Sequence, residues 1–188
     1  KLSKPVSFQY NVDIGEFIIE DERFPGFRLG LASYEDSQLF YVKINNHNWY
    51  FTNNTPDGNY HYFNQYAKTD RIVSAPHAIF SGYERYASGR GYIWSRTIPL
   101  LKKHIILGSG ADTFVINFPQ QDYVGLQNFG YGDQLMTKPH NLYLQVGVQT
   151  GLLSLIAFLV FYGMYFISSL KLYIKGKYKS YYAQVGVA

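Results

Sequence analysis

The chain has no cysteine, no acidic residue after Asp133, and no Asp, Glu, Lys, Arg or His between Asn141 and Leu170. Each absence excludes something. Without cysteine there is no disulfide framework and no Cys/His cluster of zinc-binding spacing. That suits an exported domain that does not rely on disulfides, and the roughly 140 residues before Asn141 are enough to bury a core. There is no Gly-rich P-loop to cradle a nucleotide phosphate, and no Gly-x-Ser-x-Gly turn to present a serine nucleophile. Internal repeats and low-complexity segments are missing too.

What is present is a sharp change of chemistry at His140. Leu152 to Leu170 supplies nineteen residues of mainly apolar character, interrupted only by Ser154, Gly163, Ser168 and Ser169. About 20 apolar residues cross a bilayer core, and a buried helix of a soluble domain normally keeps a polar face, which this run lacks. The spacing predicts a transmembrane helix within 141–170. Tyr162, Tyr165 and Tyr173 fit an interfacial aromatic belt at its far end. The 13 acidic residues all precede the run, and Lys171, Lys175, Lys177 and Lys179 follow it and account for the net charge of +4. Basic residues collect on the cytoplasmic side of a crossing, so residues 1–140 are expected outside the cytoplasm and 171–180 inside. The positive charge is a membrane flank, not a stripe for nucleic acid. A chain that opens on Lys1, and that starts a new apolar run at Tyr181, reads as a piece of a larger polytopic protein.

The expected fold class is α+β, with a β-rich segment at 1–80, a helical and loop segment at 81–140, the membrane helix at 141–170, and at 171–188 a cytoplasmic loop with the start of a further helix. Strand patterns fall at Phe8–Ile14, Phe27–Leu31, Leu39–Ile44 and Trp49–Thr52. The Asn45-Asn46-His47-Asn48 stretch signals a hairpin, and Thr55-Pro56-Asp57-Gly58 a turn. A small antiparallel sheet follows. Residues 88–103 read as a helix, with Ser88 to cap it, Pro99 to kink it and Gly108 beyond its end. Gly108–Phe114 is a glycine loop into a short helix, and 117–139 an irregular loop. Aromatics make up 19% of the chain. Their preferred role is to fill the sheet and line a membrane interface, and stacking on sugar faces is the other.

The candidate chemistry is sparse. His47, His61, His77 and His104 read as surface, packing or helix-end residues. Arg90 lies between glycines and four residues before Trp94, so on a helix the indole shares its face. A guanidinium near a membrane surface suits a pyrophosphate through paired charge-assisted hydrogen bonds, and a plain surface arginine is the other reading. His140 stands at the entry to the membrane segment, where a neutral imidazole takes a proton from a hydroxyl near pH 7. Alternatively it is an interfacial residue that caps the helix together with Asn141.

Taken together, these pieces resemble a known family. His140-Asn141, nine residues, then Gly151-Leu152-Leu153 resembles the motif at a late membrane helix of the O-antigen ligase and O-antigen polymerase family. Gly89-Arg90-Gly91-Tyr92-Ile93-Trp94, followed by His104 to Phe114, resembles that family's arginine–tryptophan helix and glycine turn. The likeness covers roughly 85–170 and leaves 1–80 as an insertion in the large external loop.

The resemblance implies a multi-pass bundle of about a dozen helices in the bacterial plasma (inner) membrane. It implies an inverting, metal-independent glycosyltransferase with no cofactor. The donor would be a glycan on undecaprenyl pyrophosphate, and the acceptor a hydroxyl of a glycan or lipid. Arg90 and His140 would be the catalytic pair, with Arg96, Lys138, Trp94 and Asn141 around the substrate and Gly151 allowing close helix packing. The family brings further basic residues from other helices, so this piece alone is expected to be inactive. A membrane-anchored extracellular β-domain for binding or adhesion is the rival reading. A transporter is disfavoured, because the crossing holds no ionisable residue.

Overall fold

The computed structural model describes residues 4–78, 82–132 and 134–175. They form two compact units: Lys1–Ser74 with Gln121–Val124, and Ala75–Gln120 with Gly125–Ala188.

The first unit is an antiparallel meander of seven strands in sequence order: β1 (Phe8–Asn11), β2 (Glu16–Ile19), β3 (Arg28–Tyr34), β4 (Ser37–Ile44), β5 (His47–Thr52), β6 (His61–Phe63) and β7 (Thr69–Asp70). Its turns follow local chemistry. Asn45 and Asn46 both sit in the left-handed region, at φ 49° and 65°, and close a two-residue hairpin between the paired Ile44 and His47. Such turns match the strand twist, and asparagine tolerates that region. The Asn11 side chain accepts from the amide of Asp13 at 3.0 Å and starts the β1–β2 turn. The expected turn at Thr55–Gly58 closes through the Gly58 amide and the Thr55 carbonyl, 3.0 Å apart.

The sheet is larger than the sequence pattern predicts, because β2, β6 and β7 carry weak signals. In β2 the inward position is an acid. Glu16 is buried, with Arg28 and Lys43 each 3.6 Å away and the Tyr41 hydroxyl donating at 3.1 Å. Tyr41 is on β4 and Glu16 on β2, so the phenol ring crosses β3, where Gly30 pairs directly with Tyr41. A Cβ on Gly30 would run into that ring. The glycine is there to let the aromatic lie across it. Aromatics also fill the rest of the unit: Phe40 stacks on Phe51 at 5.2 Å, and Tyr62 lies 5.6 Å from Trp49 and 4.7 Å from Tyr123.

The second unit is helical: α1 (Arg90–Lys103), α2 (Phe114–Asn117), α4 (Leu142–Thr150) and α5 (Leu152–Ile174), with α3 (Tyr123–Asn128) running in from the segment that belongs to the sheet unit. Its core is Tyr92, Ile93, Phe114, Phe118, Leu126, Met136 and Val148. Three expectations change here. Ser88 does not cap α1. The cap is Gly89, at φ 86°, without a side-chain hydrogen bond. The amides of Gly91 and Tyr92 are taken at 3.1 and 2.9 Å by the carbonyls of Tyr86 and Glu84 in the preceding turn, so no side-chain cap is needed. The stretch 117–139 is not wholly irregular, since it contains α3. And the run from Asn141 is not one helix: it divides at Gly151.

Pro99 stands inside α1 and leaves the Ser95 carbonyl without its helical donor. The Ala78 amide supplies one at 2.8 Å. The chain just before the helix thereby repairs the gap that the proline makes.

At Gly151 the backbone (φ 92°, ψ 163°) adopts a conformation essentially restricted to glycine. Across this break α4 folds back on the start of α5. Tyr143 meets Phe158, with ring centroids 6.4 Å apart, and a Cβ on Gly147 would come within 3.2 Å of Leu155. The glycine loop expected at 108–114 clasps the break. Ser109 and Gly110 amides donate to the Val148 and Gln149 carbonyls at 2.8 and 3.0 Å, and the Leu152 amide donates to Ile105 at 2.7 Å. These bonds satisfy the groups that a helix end and a helix start leave open. Gly108 and Gly151 both lie backbone against backbone, where any Cβ would collide. Gly151 therefore admits a loop, and Gly147 is the glycine that brings a helix close, against Leu101 of α1.

α5 is 23 residues long, and its most apolar window has a mean hydropathy of 2.0. At 1.5 Å per residue it reaches about 35 Å, enough for a bilayer core of about 30 Å. Only Leu155 is buried within the chain, and large apolar side chains from Leu159 to Ile174 are exposed. Lys171 sits in its last turn and Lys175 caps it. Lys177, Lys179 and the apolar run from Tyr181 lie outside the described residues.

Candidate functional site

The candidate residues lie in the second unit, where α1 and α4 run side by side in the same direction. Leu101 near the end of α1 packs at Gly147 near the end of α4. Toward their starts, the Trp94 indole N–H donates to the Pro139 carbonyl at 2.9 Å. Both N-termini therefore face the same way, and Arg90, the first residue of α1, is about 6 Å along the axis from Trp94.

Arg90 is exposed and has no ion pair among the described residues. The Tyr131 hydroxyl lies beside the turn that precedes it, 3.1 Å from where a Cβ on Gly89 would sit. Burial raises the Tyr131 phenol above its usual range, and the Arg90 charge works against that shift. Arg90 is thus near enough for its charge to act on this phenol, and it is exposed to solvent. The expected bracing by Trp94 is replaced by the bond to Pro139, and among the described residues of this unit the cation–π pair is Arg96 on Tyr92, 4.4 Å from the ring centroid.

Arg96 differs in kind from Arg90. Six residues turn it about 120° around the helix, into the interior, where it is 9% exposed and donates to the Ser95 hydroxyl at 2.9 Å. The tyrosine that it covers, Tyr92, is fully buried and stacks on Phe129 at 5.1 Å.

His140 is exposed and stands in the left-handed region at φ 51°. That position carries a steric cost for a side chain of about 1–2 kcal/mol. It is held from both sides. Before it, Pro139 is fully buried and its carbonyl is taken by Trp94. After it, Asn141 caps α4, its side-chain oxygen accepting from the Leu144 amide at 3.1 Å. Of the two roles open to Asn141, capping is the one made by its hydrogen bond. Lys138 is exposed beside them, and the imidazole and Lys138 have no ion pair among the described residues.

Gln120 is a positioning residue that sequence reading missed. Its amide donates to the carbonyls of Val115 and Met136 at 3.0 and 2.8 Å, and its oxygen accepts from the Met136 amide at 3.0 Å. A glutamine sixteen residues away, clamping both polar groups of one backbone position, has no local signature. The loop that delivers His140 is therefore anchored at Met136, Pro139 and Asn141. His104 bonds Asn117 at 3.1 Å and serves the helix junction. His47 lies edge-on to Trp49, and His77 bonds the Ala75 carbonyl. No group of three or more His, Cys, Asp or Glu residues is placed to hold a metal among the described residues.

A compact folded part joined through a clasped glycine break to an exposed apolar helix of membrane-crossing length marks a membrane-associated protein. The profile of the O-antigen ligase family matches residues 59–159, more than half of the chain, and the chain belongs to that family. The family is one of enzymes of polysaccharide biosynthesis. The match takes in α1 to α4, the start of α5 and strands β6 and β7, and it leaves β1–β5 outside. It begins earlier than the likeness seen in the sequence and ends earlier. No curated protein and no solved structure matches the chain.

Proposed function

We propose that this chain is the external loop and one crossing of a multi-pass glycosyltransferase in the bacterial inner membrane. In this reading residues 1–140 lie outside the cytoplasm, and the enzyme moves a glycan from undecaprenyl pyrophosphate to an acceptor hydroxyl. The acceptor belongs to lipid A-core, to another lipid-linked unit or to another surface glycan. The observation that carries the reading is the Trp94–Pro139 hydrogen bond. It ties the helix that bears the open guanidinium to the backbone that bears the open imidazole, and neither group has an ion pair among the described residues.

The chemistry needs little more from these residues. His140, as the neutral imidazole, accepts the proton of the acceptor hydroxyl while that oxygen attacks the anomeric carbon from the face opposite the pyrophosphate. The anomeric C–O bond breaks, its electron pair leaves on the pyrophosphate oxygen, and the configuration inverts. The leaving group needs no general acid and the step needs no metal. Its growing charge is met by Arg90 and Lys138. Arg96 adds positive charge from the interior without contact. Trp94 and Asn141 fix the approach of His140 on either side. Further helices of the bundle complete the site.

Complementation of a deletion strain by the full-length protein tests this, with surface and lipid-linked glycans resolved by length. His140→Ala and Arg90→Ala, expressed at normal level, are each expected to abolish transfer. Single lipid-linked units left behind identify a polymerase, and long lipid-linked chains a ligase. An unchanged glycan profile for either variant removes that residue from the mechanism, and unchanged profiles for both would leave an anchored binding domain.

A further inference from the structure

The sheet unit carries a cleft of about 410 Å³ between β5, the β5–β6 turn, β6 and β7. That volume falls within the range of small-molecule sites. Phe51, Tyr60 and Tyr62 form one wall, and Asn59, His61 and Arg71 bring polar groups to it. Tyr60 is 64% exposed, with its ring held edge-on against Phe40 at 5.0 Å.

Asp57 organises the polar side. Its carboxylate accepts from Thr55 Oγ1 at 2.9 Å, from the Asn59 amide and side chain at 3.2 and 3.1 Å, and from His61 Nε2 at 3.0 Å. The hydrogen bonds from Asn59, His61 and Thr55 hold the carboxyl well below the usual range, so it is ionised. Asp57 is thus nearly saturated, and its effect is to orient its neighbours. An ionised carboxylate only accepts, so His61 Nε2 donates in that bond, and Nδ1 is the ring nitrogen that Asp57 does not hold. Asn59 keeps its side-chain oxygen. Arg71 is loosely held, 3.9 Å from Asp57 and with its side chain 77% exposed, so it keeps donors. Asp70 is occupied by Tyr123 at 2.8 Å and Gln121 at 3.2 Å.

The exposed Tyr60 ring beside fixed planar donors and acceptors suits a sugar ring, which offers apolar C–H faces and a rim of hydroxyls. The carboxylates of Asp57 and Asp70 in the lining disfavour phosphate and acidic sugars. The polar rim makes it a poor lipid site. We propose that this cleft binds a neutral pyranose segment of the glycan that the enzyme handles. Tyr60, the exposed ring of the wall, then stacks on sugar, and His61 is a ligand-facing residue instead of the surface or packing histidine expected from sequence. The identity of the glycan rests on the transferase reading. The binding chemistry rests on the cleft.

The test uses full-length protein in detergent and neutral oligosaccharides released by mild acid from the producing organism's own surface polysaccharide. Binding is read by saturation-transfer NMR, and transfer by KM for the lipid-linked donor and for the acceptor separately. Tyr60→Ala and Arg71→Ala are each expected to weaken oligosaccharide binding about 10-fold, raise one KM and leave kcat near wild type. A KM rise for the donor assigns the cleft to the donor glycan, and a rise for the acceptor assigns it to the acceptor. His140→Ala is expected to bind as wild type while transferring nothing. If both cleft variants bind and transfer as wild type, the cleft proposal is wrong whatever His140→Ala does. If His140→Ala still transfers while the cleft variants lose binding, the transferase mechanism falls and the cleft stands.

Discussion

His140→Gly separates a chemical role from a structural one, because the two predict opposite results. The wild-type residue sits at φ 51° with its side chain exposed. Removing the Cβ relieves about 1–2 kcal/mol of steric cost. Glycine gives back about 0.5–1 kcal/mol through its larger backbone entropy in the unfolded chain. No packing is lost, because the ring is not buried. The net expectation is a fold as stable as wild type or up to about 1.5 kcal/mol more stable, a rise in melting midpoint of about 0–6 °C. Transfer should fall by about 10²–10⁴, the usual contribution of a positioned general base. The assay pairs thermal unfolding of the purified protein with transfer from a lipid-linked donor at saturating substrate. A variant that keeps transfer within a few-fold of wild type would refute the catalytic role. One that melts well below wild type would refute the geometry, because it would mean that the imidazole holds the fold.

Gly151→Ala should cost about 2–4 kcal/mol. The glycine-only backbone conformation contributes about 1–3 kcal/mol, and losing the Leu152–Ile105 hydrogen bond adds about 1 kcal/mol. Hydrogen exchange at the Leu152, Ser109 and Gly110 amides reports whether the clasp opens, and protection equal to wild type would count against it. Trp94→Phe keeps the ring and removes the donor to Pro139, leaving that carbonyl unpaired at a cost of about 1–3 kcal/mol. Transfer should drop with kcat more than with KM, and an unchanged kcat would show that the bond does not position His140. Folding holds the Asp57 carboxyl below its ordinary range, chiefly through Asn59 and His61, so the folded state binds that proton more weakly than the unfolded chain. The resulting stabilisation is complete above about pH 4 and is lost as pH falls below it. In the Trp94→Phe background Trp49 is the remaining tryptophan and reports on the sheet. Adding Asp57→Asn should flatten its acid transition, and an identical transition with and without the carboxylate would reject the linkage.

Much of the local structure was legible because its causes are local. Asn45-Asn46 is a hairpin turn by its own conformational preference. The apolar run after Gly151 is a membrane-length helix by composition alone. Strand β2 escaped notice because its inward residue, Glu16, breaks the apolar alternation, and only Arg28, Lys43 and Tyr41 arriving from β3 and β4 make that burial tolerable. Arg90 and Arg96 look alike in sequence. The offset of about 120° around the helix between them decides that one is open and the other lies on Tyr92.

By itself the sequence determined the order of the parts: an aromatic β-rich region, an arginine–tryptophan helix, a glycine turn, His-Asn, and an apolar helix flanked by lysines. These follow from propensity, hydropathy and charge, which act over a few residues. Only the tertiary structure decided that Gly108 and Gly151 meet backbone to backbone, that the Ala78 amide repairs the carbonyl freed by Pro99, and that Trp94 holds the backbone beside His140 across 45 residues. Such bonds join groups far apart in the chain. Which distant partner satisfies a given amide or carbonyl is fixed by packing, and no local pattern encodes it.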